Sequence, residues 1–232
     1  MTDGGGRSVM EGAFALLGAV ERAGEAGPTR LAAECGLPKT TAYRLLEQLV
    51  DLGAVERSRG GYRMGPLVFR LGRSWQPYPG LRAAARAPAR RLARLTGAAV
   101  ALNVLREGQT LVLDWTPGDD VGAIGGLQDG AAFPWFTAAG KVLVAGAHPR
   151  TLKGPLPAAW QREAEAIRER GAAFDREGVA SGVCCVAVAL HGPTGAPLAS
   201  LSLVTDPEHS LDRLVGAVQQ TGRIISAALR GR

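Results

Sequence analysis

Over its first seventy-five positions the chain sets apolar residues at helical spacing and interrupts them with glycine and proline. Ser8 followed by Glu11 has capping-box spacing, and Phe14, Leu17 and Val20 recur after it as an apolar face. This first helix is expected to end within 24–27. Thr29 is expected to cap a short second helix, 30–34, with Leu31 and Ala32 turned inward. Cys35-Gly36-Leu37-Pro38 then breaks the chain: glycine supplies a turn residue, and proline suits the first position of a new helix. The third helix, 39–52, carries Leu45, Leu46, Leu49 and Leu52 as its core stripe. Opposite them Lys39, Thr40, Thr41, Tyr43 and Arg44 crowd into the first turn and a half. Residues 54–57 and 62–64 read as two short strands around a Gly60-Gly61 turn, with Arg59 at its tip.

Beyond this block the pattern changes. Trp75-Gln-Pro-Tyr-Pro79-Gly80 is a breaker cluster and a natural boundary. Residues 81–95 have helical spacing, and Pro88 is expected to kink that helix or start another. Apolar runs at 98–105 and 110–115 look like paired strands joined by the turn Arg106–Gln109, with a weaker third strand at 121–124. Residues 136–147 and 160–170 read as helices. Strands return at 183–190 and 198–204, separated by a turn at 191–195, and a helix at 207–229 follows. The expected domains are 1–75, a helix-turn-helix with a β wing; 76–96, a linker helix region; and 97–232, a mixed α/β domain. The fold class is α+β.

A helix, a tight glycine turn, and a second helix with hydroxyl and cationic residues at its N-terminal end form a helix-turn-helix. Such an end can enter the major groove, where Thr40, Thr41 and Tyr43 meet base edges while Lys39 and Arg44 reach phosphate or guanine. Arg30 on the short helix and Arg57, Arg59 and Arg63 on the wing add cations suited to the DNA backbone. Charge agrees: the formal net charge is +6, and from Arg57 to Arg106 no Asp or Glu interrupts a series of arginines. A solvated Ala/Arg-rich helix surface explains part of that bias, and a trihelical module that binds other proteins is the rival use of this block.

The run GLPKTTAYRLLEQLVDLGAVER, followed by GGYRMGP, resembles the winged helix-turn-helix of IclR (isocitrate-lyase-regulator) transcription factors, through Pro38, Lys39, Thr41, Arg44 and Leu45 and the wing exit. The resemblance continues at Phe136-Thr-Ala-Ala-Gly-Lys141, at Ala172–Glu177 followed by Gly182 and Cys185, and at Ala199–Ser202. It implies a GAF-like C-terminal effector-binding domain, with Ala138, Ala139, Asp175, Cys185 and Ser202 as effector contacts. It also implies a homodimer or tetramer on double-stranded operator DNA, with coupling through the linker helix. Small residues at a helix N-terminus leave room for a ligand and offer backbone N–H groups to a carboxylate. Three departures stand out: a thinner acidic cluster after Asp175, Val204 where many members carry serine, and Phe133-Pro-Trp135-Phe136 before the Thr-Ala-Ala segment. They point to a more apolar, aromatic pocket, unless Trp135 and Phe136 only pack the domain.

Other classes lack their parts. There is no nucleophile elbow, no phosphate-binding loop and no metal-ligand spacing, so neither catalysis nor a cofactor or metal is expected. No apolar run is long enough for a membrane helix, and no secretory segment is evident, so a cytoplasmic protein is expected. Cys184 and Cys185 leave one alternative, a thiol-based redox-sensing regulator. Adjacent strand residues point to opposite faces, however, and a disulfide between them would be strained.

Overall fold

The computed structural model describes residues 8–118, 128–146 and 156–231; the strand expected at 121–124 lies outside them. The chain forms two compact units, residues 1–77 and 78–232.

In the first unit, helix α1 (Val9–Ala23) begins at Ser8. The Ser8 hydroxyl accepts the Glu11 N–H at 3.2 Å, and the Glu11 carboxylate accepts the Ser8 N–H at 2.8 Å. The expected apolar face is partly misphased. Gly12, Leu16, Ala19 and Val20 are buried, whereas Phe14 is 66% exposed. The burial phase follows the neighbouring helix, since a Cβ on Gly12 would come within 3.1 Å of a Leu45 methyl. Helix α2 (Pro28–Glu34) starts from Gly27 with Pro28 in its first turn, so Thr29 lies inside the helix and does not cap it. Helix α3 (Lys39–Asp51) buries Ala42, Leu45, Leu46 and Leu49. Leu52 falls past its end and is 68% exposed, not part of the core stripe.

Strands β1 (Glu25–Ala26), β2 (Val55–Ser58) and β3 (Gly61–Met64) pair antiparallel in the order β1-β3-β2. Gly61 has a φ of 135°, and a Cβ there would come within 2.2 Å of the Ala26 carbonyl oxygen. Only glycine allows β3 to lie so close to β1. Helix α4 (Pro66–Ser74), which the sequence reading did not anticipate, follows directly and leaves Phe69 and Leu71 exposed.

The second unit begins with helix α5 (Leu81–Thr96), which runs unbroken through Pro88. Strands β4 (Ala99–Arg106), β5 (Gln109–Thr116) and β6 (Ala132–Pro134) precede helices α6 (Ala138–Gly146) and α7 (Trp160–Arg170). Strands β7 (Ala173–Arg176), β8 (Cys184–His191) and β9 (Pro197–Thr205) follow, then helix α8 (Leu211–Arg230). The described strands form one sheet in the order β6-β5-β4-β9-β8-β7, and every pairing in it is antiparallel. Helices α5 and α8 cover one face with Leu81, Leu92, Val218 and Ile225 against Val100, Leu102, Leu201 and Leu203. The other face meets α6 and α7 through Val142, Leu143, Trp160 and Ile167.

The seat of α6 is tight. A Cβ at Gly140 would come within 2.2 Å of the Trp135 carbonyl oxygen and 2.5 Å of the Thr110 hydroxyl. The backbone cannot yield locally, so Gly140→Ala should destabilise the second unit by about 1–3 kcal/mol. Urea unfolding followed by tryptophan fluorescence checks this; an unchanged midpoint would show that α6 can shift without cost.

Candidate functional site

Two sets of residues carry the candidate chemistry, one in each unit. In the first, Lys39, Thr40, Tyr43 and Arg44 are exposed along the start of α3, and Thr41 is half-buried. Residue 38, the N-cap, is a proline and offers no side-chain acceptor, so the first-turn N–H groups stay open to an anion. Arg30 on α2 and Arg59 at the wing tip are also exposed, and neither forms an ion pair with the described residues.

The structure gives the other two wing arginines additional partners. Arg57 is ion-paired to Glu47, in the middle of α3, and the Tyr62 hydroxyl donates to the same carboxylate at 2.8 Å. The Tyr62 bond, then the Arg57 bond, holds the Glu47 carboxyl below its ordinary range. Burial, then the bond to Glu47, pushes the Tyr62 phenol up to about 12. Arg57 therefore ties the wing to α3. Arg63 bonds Glu56 at 2.9 Å. At the tip, the Gly60 N–H donates to Glu25 at 2.6 Å, fixing the turn that carries Arg59 to β1. Glu47 was not singled out from the sequence; its spacing to Tyr62 becomes meaningful only once the wing folds back.

In the second unit Ala138, Ala139, Asp175, Cys185 and Ser202 line a single cavity. They come from α6, β7, β8 and β9, and the sheet register explains their convergence. Asp175 pairs with Cys185, and Cys185 with Val204. One row further, Ala101 pairs with Ser202, and Ser202 with Ala187. Because side chains alternate, these rows face α6 while their neighbours face α5 and α8. Small residues under the start of α6 leave about 90 Å³ open to the centres of water-sized molecules; a single water needs roughly 10–15 Å³. This is room for a small metabolite.

The wall is mostly apolar, with Val112, Phe133, Val179, Val183 and Val204. Phe133 supplies the aromatic face. Trp135 and Phe136 do not line the cavity: Trp135 packs edge-on against Phe136 at 6.2 Å and against Trp160 at 5.0 Å. Polar groups are few. Thr137 accepts the Gly140 N–H at 3.2 Å and so caps α6, and Asp175 accepts the Gly178 N–H at 2.8 Å. Asn103 donates to the Ser202 hydroxyl at 2.9 Å. The sequence reading missed Asn103 and Thr137. A lone amide in the apolar run Ala-Leu-Asn-Val-Leu was the available signal for Asn103.

Geometry also weighs on the rival chemistries. Cys184 belongs to the core beneath α5 and α8, while Cys185 faces the cavity. Burial, then the nearby Asp175 and Cys184, pushes the Cys185 thiol up to about 12, and burial raises Cys184 as well. Thiolate, the reactive form, is therefore disfavoured at both. Asp175 and Glu177 do not form a shared-face acid pair, because the strand ends at Arg176 and Glu177 adopts a φ of 58°. The described residues contain no cluster able to hold a metal ion and no helix long and apolar enough to cross a membrane.

Against known families, residues 11–59 match the IclR helix-turn-helix domain, and residues 79–227 match the C-terminal domain of bacterial IclR transcriptional regulators. The chain belongs to the IclR family. It is 30% identical over 227 residues, 88% of each chain, to the glycerol operon regulatory protein of Streptomyces coelicolor. It is 33% identical over 183 residues to the glycerol operon regulatory protein of Streptomyces griseus, covering 71% of each chain. Among solved structures, an IclR homolog from Microbacterium hydrocarbonoxydans complexed with 4-hydroxybenzoate superposes with a TM-score of 0.83, at 21% identity over 97% of this chain and 100% of that one. The IclR of Thermotoga maritima gives 0.74, at 22% identity over 95% and 98% of the two chains. As an IclR-family protein the chain is a DNA-binding transcriptional regulator, and not an enzyme.

Two outcomes follow for this IclR protein. Glu47→Gln should loosen the wing and weaken DNA binding several-fold while the melting temperature moves little, as expected for an exposed ion pair; unchanged DNA affinity would remove Glu47 from the DNA-binding architecture. The unmodified protein should keep its DNA binding on mild peroxide and should react only slowly with a thiol reagent at pH 8. Rapid labelling of Cys185, or loss of DNA binding on mild peroxide, would restore the redox alternative.

Proposed function

We propose that this regulator reads operator DNA with Lys39, Thr40, Thr41, Tyr43 and Arg44 at the start of α3, flanked by Arg30 and the wing residues Arg59 and Arg63. The effector, in this reading, is a small carboxylate with an apolar or aromatic body, held between α6 and the sheet by Ala138, Ala139, Asp175, Cys185 and Ser202. The observation that carries it is the convergence of these five residues, drawn from α6, β7, β8 and β9, on one mainly apolar cavity at the N-terminal end of α6. First-turn backbone N–H groups and the positive end of the helix dipole favour the acid group, and Phe133 with the valines favours the apolar body. A ligand of this kind, 4-hydroxybenzoate, is bound by the Microbacterium hydrocarbonoxydans homolog.

A homodimer is the working unit of this proposal. Val9, Met10 and Phe14 on α1, with Phe69 and Leu71 on α4, are apolar and exposed within the first unit, which supports association there. Two recognition helices would then address half-sites about one DNA turn apart, roughly 34 Å.

Fluorescence anisotropy against the DNA upstream of the protein's own gene, beside a scrambled duplex and across a salt series, tests the DNA half. Arg44→Ala should cost about 1–3 kcal/mol on the operator and relax its sequence preference. Arg59→Ala should weaken both duplexes alike and reduce the salt slope by about 1. Operator binding by Arg44→Ala as tight as that of the unmodified protein would refute the recognition-helix assignment.

A further inference from the structure

Within the effector cavity, one polar side chain has its hydrogen-bonding capacity half used. Asn103, on β4, is 3% exposed and lines the cavity. Its amide nitrogen is fully engaged: Nδ2 donates to the Ala101 carbonyl at 3.3 Å and to the Ser202 hydroxyl at 2.9 Å. Turning the amide end for end would set Oδ1 against the Ala101 carbonyl oxygen, acceptor against acceptor, so the nitrogen is fixed on that side. Oδ1 accepts no hydrogen bond from the described residues. Directly across the ladder from Asn103 is Ser200, on β9. Ser200 is wholly buried, and its hydroxyl has no partner among the described residues.

An unmet polar group in a mainly apolar site costs free energy, and the Asn103 oxygen, on the cavity lining, marks a place for a partner. The partner's chemistry is constrained. A carboxamide oxygen can only accept, so whatever meets it must donate. A second carboxylate would be repelled, and a methyl or ether group would leave the oxygen unsatisfied.

We propose that Asn103 sets the effector's specificity: its side-chain oxygen accepts a hydrogen bond from a hydroxyl or amino group carried by the effector apart from its acid group. The inference rests on the reading of this cavity as the site of an effector acid and adds a second polar anchor to it. The ligand class becomes a hydroxy- or amino-substituted acid with an apolar body. Rejection of the unsubstituted acid follows from the same geometry, since its binding would bury Oδ1 against apolar atoms.

Calorimetric titration of the full-length protein with benzoate and with its 2-, 3- and 4-hydroxy and matching methoxy forms tests this. One hydroxy isomer should bind about tenfold more tightly than both benzoate and its methoxy counterpart, the scale of one buried hydrogen bond. In Asn103→Leu, of similar volume without the acceptor, that preference should shrink to about twofold or less while benzoate binding is retained. Equal binding of hydroxy, methoxy and unsubstituted acids by the unmodified protein would overturn the proposal and leave the effector-acid reading standing, with a bound water as the partner of Asn103. A hydroxyl preference that survives in Asn103→Leu would also overturn it. Failure of every acid to bind at millimolar concentration would overturn the effector-acid reading together with the proposal. Should Asn103→Leu fail to fold, Asn103→Ser makes the same comparison with a side chain too short to reach the ligand.

Discussion

In β4 and β9 alternate side chains face α5 and α8, and most of them are large: Val100, Leu102 and Val104 from one strand, Leu201 and Leu203 from the other. Among the intervening positions, Ala101, Asn103, Ser200 and Ser202 are small or polar. A strict two-residue period thus fills one face of the sheet and leaves the other short of volume. Each fully buried leucine or valine on the filled face contributes roughly 1.5–3 kcal/mol, so that side can carry the stability of the unit. The underfilled side cannot collapse onto the gap, because the same backbone is pinned by the packing beneath it. The cavity follows from that asymmetry, and a ligand that enters it supplies the contacts the side chains do not.

The first unit solves a different problem, the placing of cations on a small scaffold. Strand β3 is held to β1 and β2, and Gly61 permits the close crossing. Glu47 then takes both the Tyr62 hydroxyl and Arg57 from the wing. Helix α3 and the wing are thereby fixed to each other through one carboxylate. Its charge is met by Arg57, while Arg44 and Arg59 stay exposed.

Much of this was legible in the sequence. The capping box at Ser8, the Gly36 turn, the polar start of α3 and the glycine-linked wing are local signals, each set by residues within a few positions. The site residues in the second unit were reached through motif resemblance, because no local pattern announces that Asp175, Cys185 and Ser202 share a sheet face. What stayed hidden depends on the phase or pairing of distant elements. Phe14 has the right spacing but the wrong phase, which only the position of α3 decides. Pro88 looked like a break, yet at mid-helix it is accommodated in α5. The segment Phe133-Pro-Trp135-Phe136 suggested an aromatic pocket; of its three rings Phe133 lines the cavity, while Trp135 and Phe136 take the other reading and pack against each other and Trp160. Asn103 was invisible as a site residue because its meaning lies in Ser202 and Ser200, about a hundred positions away.

A ligand that merely filled the cavity would stabilise the unit by mass action without changing what the protein does on DNA, since it would favour every arrangement containing an intact second unit. Regulation requires an element whose position differs between arrangements and which the ligand can feel. β4 is placed to feel the ligand. It offers Ala101 and Asn103 to the cavity and, from the alternate positions, Val100 and Leu102 to the core shared with α5. The strand has no slack for independent movement of its two faces, because Ala101 and Leu102 are adjacent on one pleated backbone. A ligand group seated on Asn103 therefore bears on the same strand against which α5 packs, and α5 is the element nearest in sequence to the first unit.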